Sequence, residues 1–509
     1  MSSSGPNHPQ SLVERTPLLP GPSPASPLPD AIKNEPISLK RWVLLWVCIT
    51  IVAMDFGDAL AYPPGIAIYE SVICNELHNT DPSPPSNATT SPCKSPAVQG
   101  QLALFIGIKD TIHQLPGIVL ALPYGLAADR IGRRPIVLLC LVGLLLEEVV
   151  NRLVCWWAPF VPLRAVWATP LFQVLGGGSQ IATSMAYAMI TDVFDPEERS
   201  SIFFVMAAVI LLGEILATPV SAVLMWKYSP WVPSLLGLGI QFVGFCAACV
   251  LPETLSQQPK SLQDDQVSVE TSQPPSTAHG KTDSWLEKLG NEWSRIKSRM
   301  PLNTNVVLII SSFFFASIGK QALQLVVQYA SVRFNWSISS ASFFVTLKGI
   351  VTLITLLIVL PRLSIILSHR MPAFKKDRYI VQGSAWSLTV GAAIMALATS
   401  PVVFGFGISF LACGWGFYSA LRSLAMALVE PDHGGVMSTF IALVQSAGMM
   451  VSGPLLATAF ALGLSFGGAW RGLPYVVAAG FFLVAGCLVC CVGRGGEGVG
   501  LEDVEEEER

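Results

Sequence analysis

Ionisable side chains interrupt the long apolar stretches of this sequence, and several do so at helical spacing. Asp55 and Asp58 are three residues apart, which puts both on one face of a helix. Glu214 stands near the middle of another apolar stretch. Lys320 is followed by Gln321, Gln324 and Gln328, all within an arc of about 100° on a helix that turns about 100° per residue. Lys348 interrupts a further stretch, and Lys109, Asp110 and His113 fall within one turn. An ionised side chain at mid-bilayer costs roughly 2.5–3.5 kcal/mol on insertion scales, so each of these needs a partner or a watery cavity. Carboxylates in such a place can bind and release protons as their surroundings alternate between wet and dry. The lysines suit an anionic or carbonyl-bearing ligand. Glu214 is the expected proton carrier, followed by Asp55, and Asp58, Asp110, Lys320, Gln324 and Lys348 complete the candidate pathway. Local readings stand beside this one. Asp58 can be hydrated at an outer helix end, Lys109 and His113 can pair with Asp110, and Glu148 with Arg152, four apart, reads as a local ion pair.

The chain that must position these groups has 509 residues, 52% of them hydrophobic and 13% charged. Soluble globular proteins carry about 25% charged residues, so this chain cannot bury its apolar surface in a water-soluble fold. A bilayer span needs roughly 20 mostly apolar residues. Such segments lie at about 41–63, 100–126, 135–156, 167–190, 200–225 and 231–251, and again at about 305–331, 341–367, 378–398, 402–428, 435–463 and 471–492. The expectation is an all-α membrane protein of twelve transmembrane helices in two bundles of six, residues 41–251 and 305–492. Residues 1–40 read as a disordered cytosolic tail, 252–304 as a cytosolic middle loop and 493–509 as an acidic cytosolic tail. Within the middle loop Trp285, Leu289, Trp293, Ile296 and Met300 recur every three or four residues between basic side chains, the pattern of a helix lying in the interface or of a lead-in to span seven. A net charge of −3 with no long basic patch argues against nucleic-acid binding.

Orientation follows from the short loops. Arg130, Arg133 and Arg134 follow span two, and Arg370, Lys375, Lys376 and Arg378 follow span eight, so both loops are expected in the cytosol. The loop after span one then lies outside. It carries the glycosylation sequon Asn87-Ala88-Thr89 and two of the eleven cysteines, Cys74 and Cys93, which are candidates for a disulfide in an oxidising compartment. A cell-surface membrane is the expected host. The acidic dileucine pattern Glu14-Arg15-Thr16-Pro17-Leu18-Leu19 leaves a vacuolar membrane open.

The loop Gly125-Leu126-Ala127-Ala128-Asp129-Arg130-Ile131-Gly132-Arg133-Arg134-Pro135 resembles the signature G-x-x-x-D-R-x-G-R-R/K of the major facilitator superfamily, in its place between spans two and three. The layout of two sets of six spans extends the resemblance over residues 41–492. It implies a conformational latch. Gly125 would free space where two helices approach, Asp129 would face the start of span eleven after Asp432-His433-Gly434-Gly435, and Arg130, Gly132, Arg133 and Arg134 would bring the arginines to a carboxylate ending span four, here Asp192. The resemblance also implies that spans one, two, five, seven and eight line a central cavity near the midplane. Other features depart from the family. Where span four should begin with an Arg and a Gln-Gly pair the chain reads Phe172-Gln173-Val174-Leu175-Gly176-Gly177-Gly178, and the Gly-Pro pair of exporters in span five is Thr218-Pro219 here. Leu251-Pro252-Glu253-Thr254 resembles the family's ending of span six. Leu360-Pro361-Arg362-Leu363-Ser364, Leu421-Arg422-Ser423-Leu424 and Ser452-Gly453-Pro454-Leu455-Leu456-Ala457 resemble a fungal subgroup whose members accompany natural-product pathways as export pumps.

No P-loop, zinc-protease helix or nucleophile elbow is present, so the expectation is not an enzyme, with no cofactor and no metal. The resemblance implies a monomeric secondary transporter working by alternating access, most simply proton-coupled export of a small organic molecule such as a fungal secondary metabolite. Proton-coupled uptake of an organic anion or nutrient is the alternative, and a non-transporting membrane sensor is a third reading.

Overall fold

The computed structural model describes residues 37–80, 92–194, 196–254, 303–428 and 434–493, and the regular structure among them is helical throughout. The first half contains α1 (Ile37–Thr80), α2 (Pro96–Ile131), α3 (Arg133–Trp156), α4 (Ser179–Val193), α5 (Pro196–Lys227) and α6 (Trp231–Val250). The second contains α7 (Thr304–Gln321), α8 (Val326–Arg333), α9 (Ile338–Ile354), α10 (Leu360–Ser368), α11 (Ala373–Leu397), α12 (Pro401–Cys413), α13 (Phe417–Met426), α14 (Gly434–Phe466) and α15 (Leu473–Cys491). Single tight or wide turns join α7 to α8, α9 to α10 and α12 to α13, so each of these pairs is one interrupted span. Counted this way, the described residues form six spans in each half. The dileucine pattern, the sequon at Asn87, the amphipathic stretch of the middle loop and the acidic tail lie outside the described residues.

Nine of these spans are long and apolar enough to cross a membrane by length and composition. The second, third and fourth are not among them. They carry Lys109, Asp110 and His113, then Glu147, Glu148 and Arg152, and the fourth is divided. Its first part, Leu163–Val174, winds as a 3₁₀ helix, and Gly176, Gly177 and Gly178 then take φ of +103°, +90° and +83°. Three successive left-handed residues end one helix and re-aim the chain into α4, a backbone path open to glycine at little cost.

Prolines inside spans free carbonyls that water cannot reach, and neighbouring hydroxyls take them up. Pro64 leaves the Leu60 carbonyl without an amide partner, and Ser221 Oγ of α5 donates to it at 2.7 Å. Pro454 does the same to Met450, and Thr111 Oγ1 of α2 donates to that carbonyl at 3.1 Å. The second bond crosses from one half to the other. Beside it, α2 and α14 touch backbone to backbone at Gly107 and Gly453, where an added Cβ on either would stand 2.6 or 2.4 Å from the other's carbonyl oxygen.

The core shows where the halves join. One cluster draws residues from both halves, including Leu102, Phe105, Phe313, Tyr329, Phe404 and Phe460; it holds the end that carries Cys74 and runs on through the second half to Ile380, Leu424 and Val492. A second cluster, with Val43, Ile136, Met189, Ile190 and Leu251, lies wholly in the first half, at the end that carries the Arg130–Arg134 loop. These two ends are called the disulfide face and the basic face below.

Gly107→Val is expected to cost on the order of 1–3 kcal/mol by overpacking the α2–α14 crossing. The measurement is the thermal transition of purified protein in detergent. Gly65→Ala, a site with nothing within 4 Å of an added Cβ, is expected to leave that transition where it is.

Candidate functional site

Between the halves lies a cavity of about 380 Å³, lined by side chains from α1, α5, the α7–α8 span, α9 and the α12–α13 turn. Its wall on the first half is acidic: Asp55 and Asp58 on α1 and Glu214 on α5. Its wall on the second half is basic and amide-rich, with Lys320, Gln321 and Gln324 at the break after α7, Lys348 on α9 and Trp415 at the break after α12. Helix interruptions at Lys320 and Trp415 place backbone turns, and their side chains, at the cavity wall.

The two walls meet at one ion pair. Lys348 Nζ donates to Glu214 Oε1 at 2.8 Å, with the two side chains 18% and 34% exposed. Lys320 makes no ion pair among the described residues; its Nζ stands 5.4 Å from the ring centroids of both Trp415 and Tyr418. Lys348 Nζ is 5.8 Å from the Trp415 ring as well. Cation–π contacts satisfy part of an ammonium's field while leaving its N–H groups available to a ligand. Tyr62 Oη donates to the Gln324 carbonyl at 3.0 Å and roofs the cavity.

Above that roof the molecule is closed toward the disulfide face. Cys74 and Cys93 are joined in a disulfide. Lys94 pairs with Glu70 at 2.6 Å and donates to Ser331 Oγ of the other half at 2.6 Å. Gln99 Nε2 donates to Glu70 at 2.6 Å, and Gln328 Nε2 donates to the Gln99 carbonyl at 2.9 Å. Among the described residues, the hydrogen bonds between the halves run from this seal through Tyr62, Ser339 and Lys348 to Thr111 and Met450, near the middle of α2 and α14.

The loop between α2 and α3 is built within the first half. The Glu253 carboxylate caps the start of α3, accepting from the backbone N–H of Arg133 at 2.9 Å and of Arg134 at 3.1 Å, which places an anion at a helix N-terminus. Gly132, at φ +109°, makes room for it, since an added Cβ would lie 2.3 Å from Glu253 Oε2. Arg133 Nε reaches Asp192 Oδ2 at 3.4 Å, and Thr254 Oγ1 donates to the same oxygen at 3.1 Å. Arg134 turns instead to the Cys249 carbonyl, at 2.6 Å, and Arg130 is exposed. Gly125 was expected at a close helix approach; among the described residues nothing lies within 4 Å of a Cβ added there. The side chain of Asp129 and residues 429–433, which lead into span eleven, lie outside the described residues.

The family model of the Major Facilitator Superfamily matches residues 87–453. The chain belongs to the major facilitator superfamily. Its relatives include the MFS efflux pump atnC of Emericella nidulans, 31% identical over 97% of this chain and 94% of that one. The efflux pump ustT of Aspergillus flavus is 31% identical over 87% of each chain. Among solved structures, the human organic anion transporter MFSD10 has the same fold, with a TM-score of 0.53 at 17% identity over 88% of this chain and 99% of that one. The chain is therefore a multi-pass membrane transporter related to fungal efflux pumps, and not an enzyme.

Six of the seven candidate pathway residues, Asp55, Asp58, Glu214, Lys320, Gln324 and Lys348, stand around this one cavity of the facilitator fold. Asp110 does not. It lies on α2 within electrostatic reach of Lys109 and Tyr62 and is not among the residues lining the cavity. Tyr62, Trp415 and Tyr418 were not anticipated, since aromatic residues in apolar spans carry no spacing signal. Glu147 was also missed. It is 2% exposed, 3.6 Å from His113 Nε2 and bonded by Gln173. Glu148 and Arg152 do form the local pair expected of them, and Arg152 also donates to Ser234 of α6.

Glu214→Gln and Lys348→Gln each strand one charge at mid-depth and are expected to lower thermal stability. The double variant removes both charges and is expected to exceed the sum of the singles by on the order of 0.5–3 kcal/mol. A double-mutant cycle on thermal melts in detergent checks this.

Proposed function

We propose that the protein exports a small organic molecule in exchange for protons, with Glu214 as the proton carrier and the cavity between the bundles as the shared site. The observation that carries this reading is the Glu214–Lys348 pair bridging an acidic and a basic wall. Export driven by protons requires proton and substrate to compete. A substrate hydroxyl donating to the Glu214 carboxylate, with a carbonyl accepting from Lys348 or Lys320, keeps Glu214 ionised. A proton arriving from the other side ends that bond and releases the substrate. The relatives named efflux pumps support the direction. The basic loops support a cytosolic basic face, which makes the present arrangement the inward-open one. Secondary metabolites of fungal type are the substrate class that the relatives suggest.

Lys320 favours a second reading, because it has aromatic neighbours and no carboxylate partner among the described residues. An organic anion that displaced Glu214 from Lys348 would leave Glu214 free to take a proton. Anion and proton would then travel together, and the protein would be an uptake system. The two readings have opposite linkage.

Proteoliposomes separate them. A panel of hydroxylated carbonyl compounds and small organic acids is offered under an imposed pH jump. Export by exchange predicts accumulation when the far side is acidic; anion–proton uptake predicts it when the substrate side is acidic. Glu214→Gln is expected to lose gradient-driven accumulation while keeping downhill exchange. Full accumulation by that variant would remove Glu214 from the role.

A further inference from the structure

We propose that Glu147, buried inside the first bundle away from the cavity, is a second proton-binding site whose occupancy sets the glycine break of span four. Glu147 is 2% exposed, and its Oε1 is a buried acceptor with no hydrogen-bond partner. An ionised carboxylate with one oxygen empty in an apolar bundle is a costly arrangement; a proton on that oxygen removes the cost. His113, 30% exposed and 3.6 Å away through Nε2, is the group through which a proton would arrive from water.

The surroundings carry more acid than base. On its own helix Glu147 neighbours Glu148, which pairs with Arg152. From α2 it faces Lys109, with Asp110 beside that lysine, and from α1 it senses Asp58. Span four contributes Gln173, its Arg164 being exposed, and α6 contributes the neutral Ser234. Four carboxyl groups thus stand with two cations and His113 in the interior of the first bundle.

The link to the hinge is Gln173. Its Nε2 donates to Glu147 Oε2, while its Oε1 occupies the space a side chain at Gly178 would need, 2.0 Å from the added Cβ. The break is further pinned by Tyr124, whose Oη donates to the Val174 carbonyl at 2.8 Å and accepts from Gly176 N–H at 2.9 Å. Beyond the break, α4 runs to Asp192 and its contact with Arg133. When a proton adds to Oε1, forming an O–H bond and neutralising the carboxylate, the charge-assisted bond from Gln173 weakens. The break is then freed to re-aim α4. This does not depend on Glu214 or on the direction of transport.

The test is hydrogen exchange of the full-length protein in nanodiscs. Peptides covering 174–182 are followed from mildly acidic to mildly alkaline pH and corrected for intrinsic exchange. The wild type is expected to lose protection in that segment on acidification. Glu147→Gln is expected to show the unprotected pattern at every pH, while Glu214→Gln keeps the wild-type transition. Gln173→Leu leaves the acid but cuts its link to the break, so exchange there is expected to lose its pH dependence. A wild-type transition in either Glu147→Gln or Gln173→Leu would overturn the proposal.

Discussion

Glu214 and Lys348 face each other across the cavity between the bundles, and each is the counter-charge the other needs. Their 2.8 Å contact is, among the described residues, the sole ion pair joining the two bundles. Around it α5 and α9 are drawn together closely enough that Gly349 could take no side chain without meeting Ile215, and Ser339 Oγ donates to the Ala222 carbonyl at 2.6 Å nearer the disulfide face. A charge pair buried between two bodies is strongly directional in what it permits. The bodies can rotate about it, but they cannot part there without water, a proton or a ligand taking one partner's place. The cavity beneath the pair is where such a replacement can enter.

The remaining architecture divides into parts that hold and parts that yield. On the disulfide face, Lys94, Glu70, Gln99, Gln328 and Ser331 form a polar seal whose members belong to both halves. On the basic face, within the first half, Glu253 caps α3 and Asp192 holds Arg133. The first bundle therefore has its own internal ties at this end. Bends are concentrated where prolines free carbonyls that a neighbouring Ser or Thr hydroxyl takes up, at Leu60 and at Met450. Such bonds are made across helices and can be exchanged at little cost, which suits a structure that has to rock.

Much of this was legible in the chain before its structure, because an ionised residue in an apolar segment is an anomaly that demands a partner. That rule singles out Asp55, Asp58, Glu214, Lys320, Gln324 and Lys348, which the fold gathers round one cavity. It cannot say which side of a helix faces the other bundle, and so it also admits Asp110, which is not among the residues lining that cavity. Glu147 escaped because its neighbour Glu148 had an obvious partner four residues on, and Gln173 because an amide in a glycine-rich stretch carries no charge signal. The three glycines stand out in the chain only as a departure from the family pattern, and their left-handed backbone is a full break. Trp415 and Tyr418 were indistinguishable from ordinary apolar filling until the turn after α12 put them beside Lys320.

The central claim is that the bundles rock about the Glu214–Lys348 contact, opening one face as the other closes. Spin labels at Leu126 and Tyr379, exposed residues near the basic end of each half, report this directly by double electron–electron resonance with the free cysteines replaced. The account predicts two distance populations, the longer dominant when the pair is intact and the balance shifting on acidification and in Glu214→Gln. A single distance, unchanged by pH and by that substitution, would contradict it.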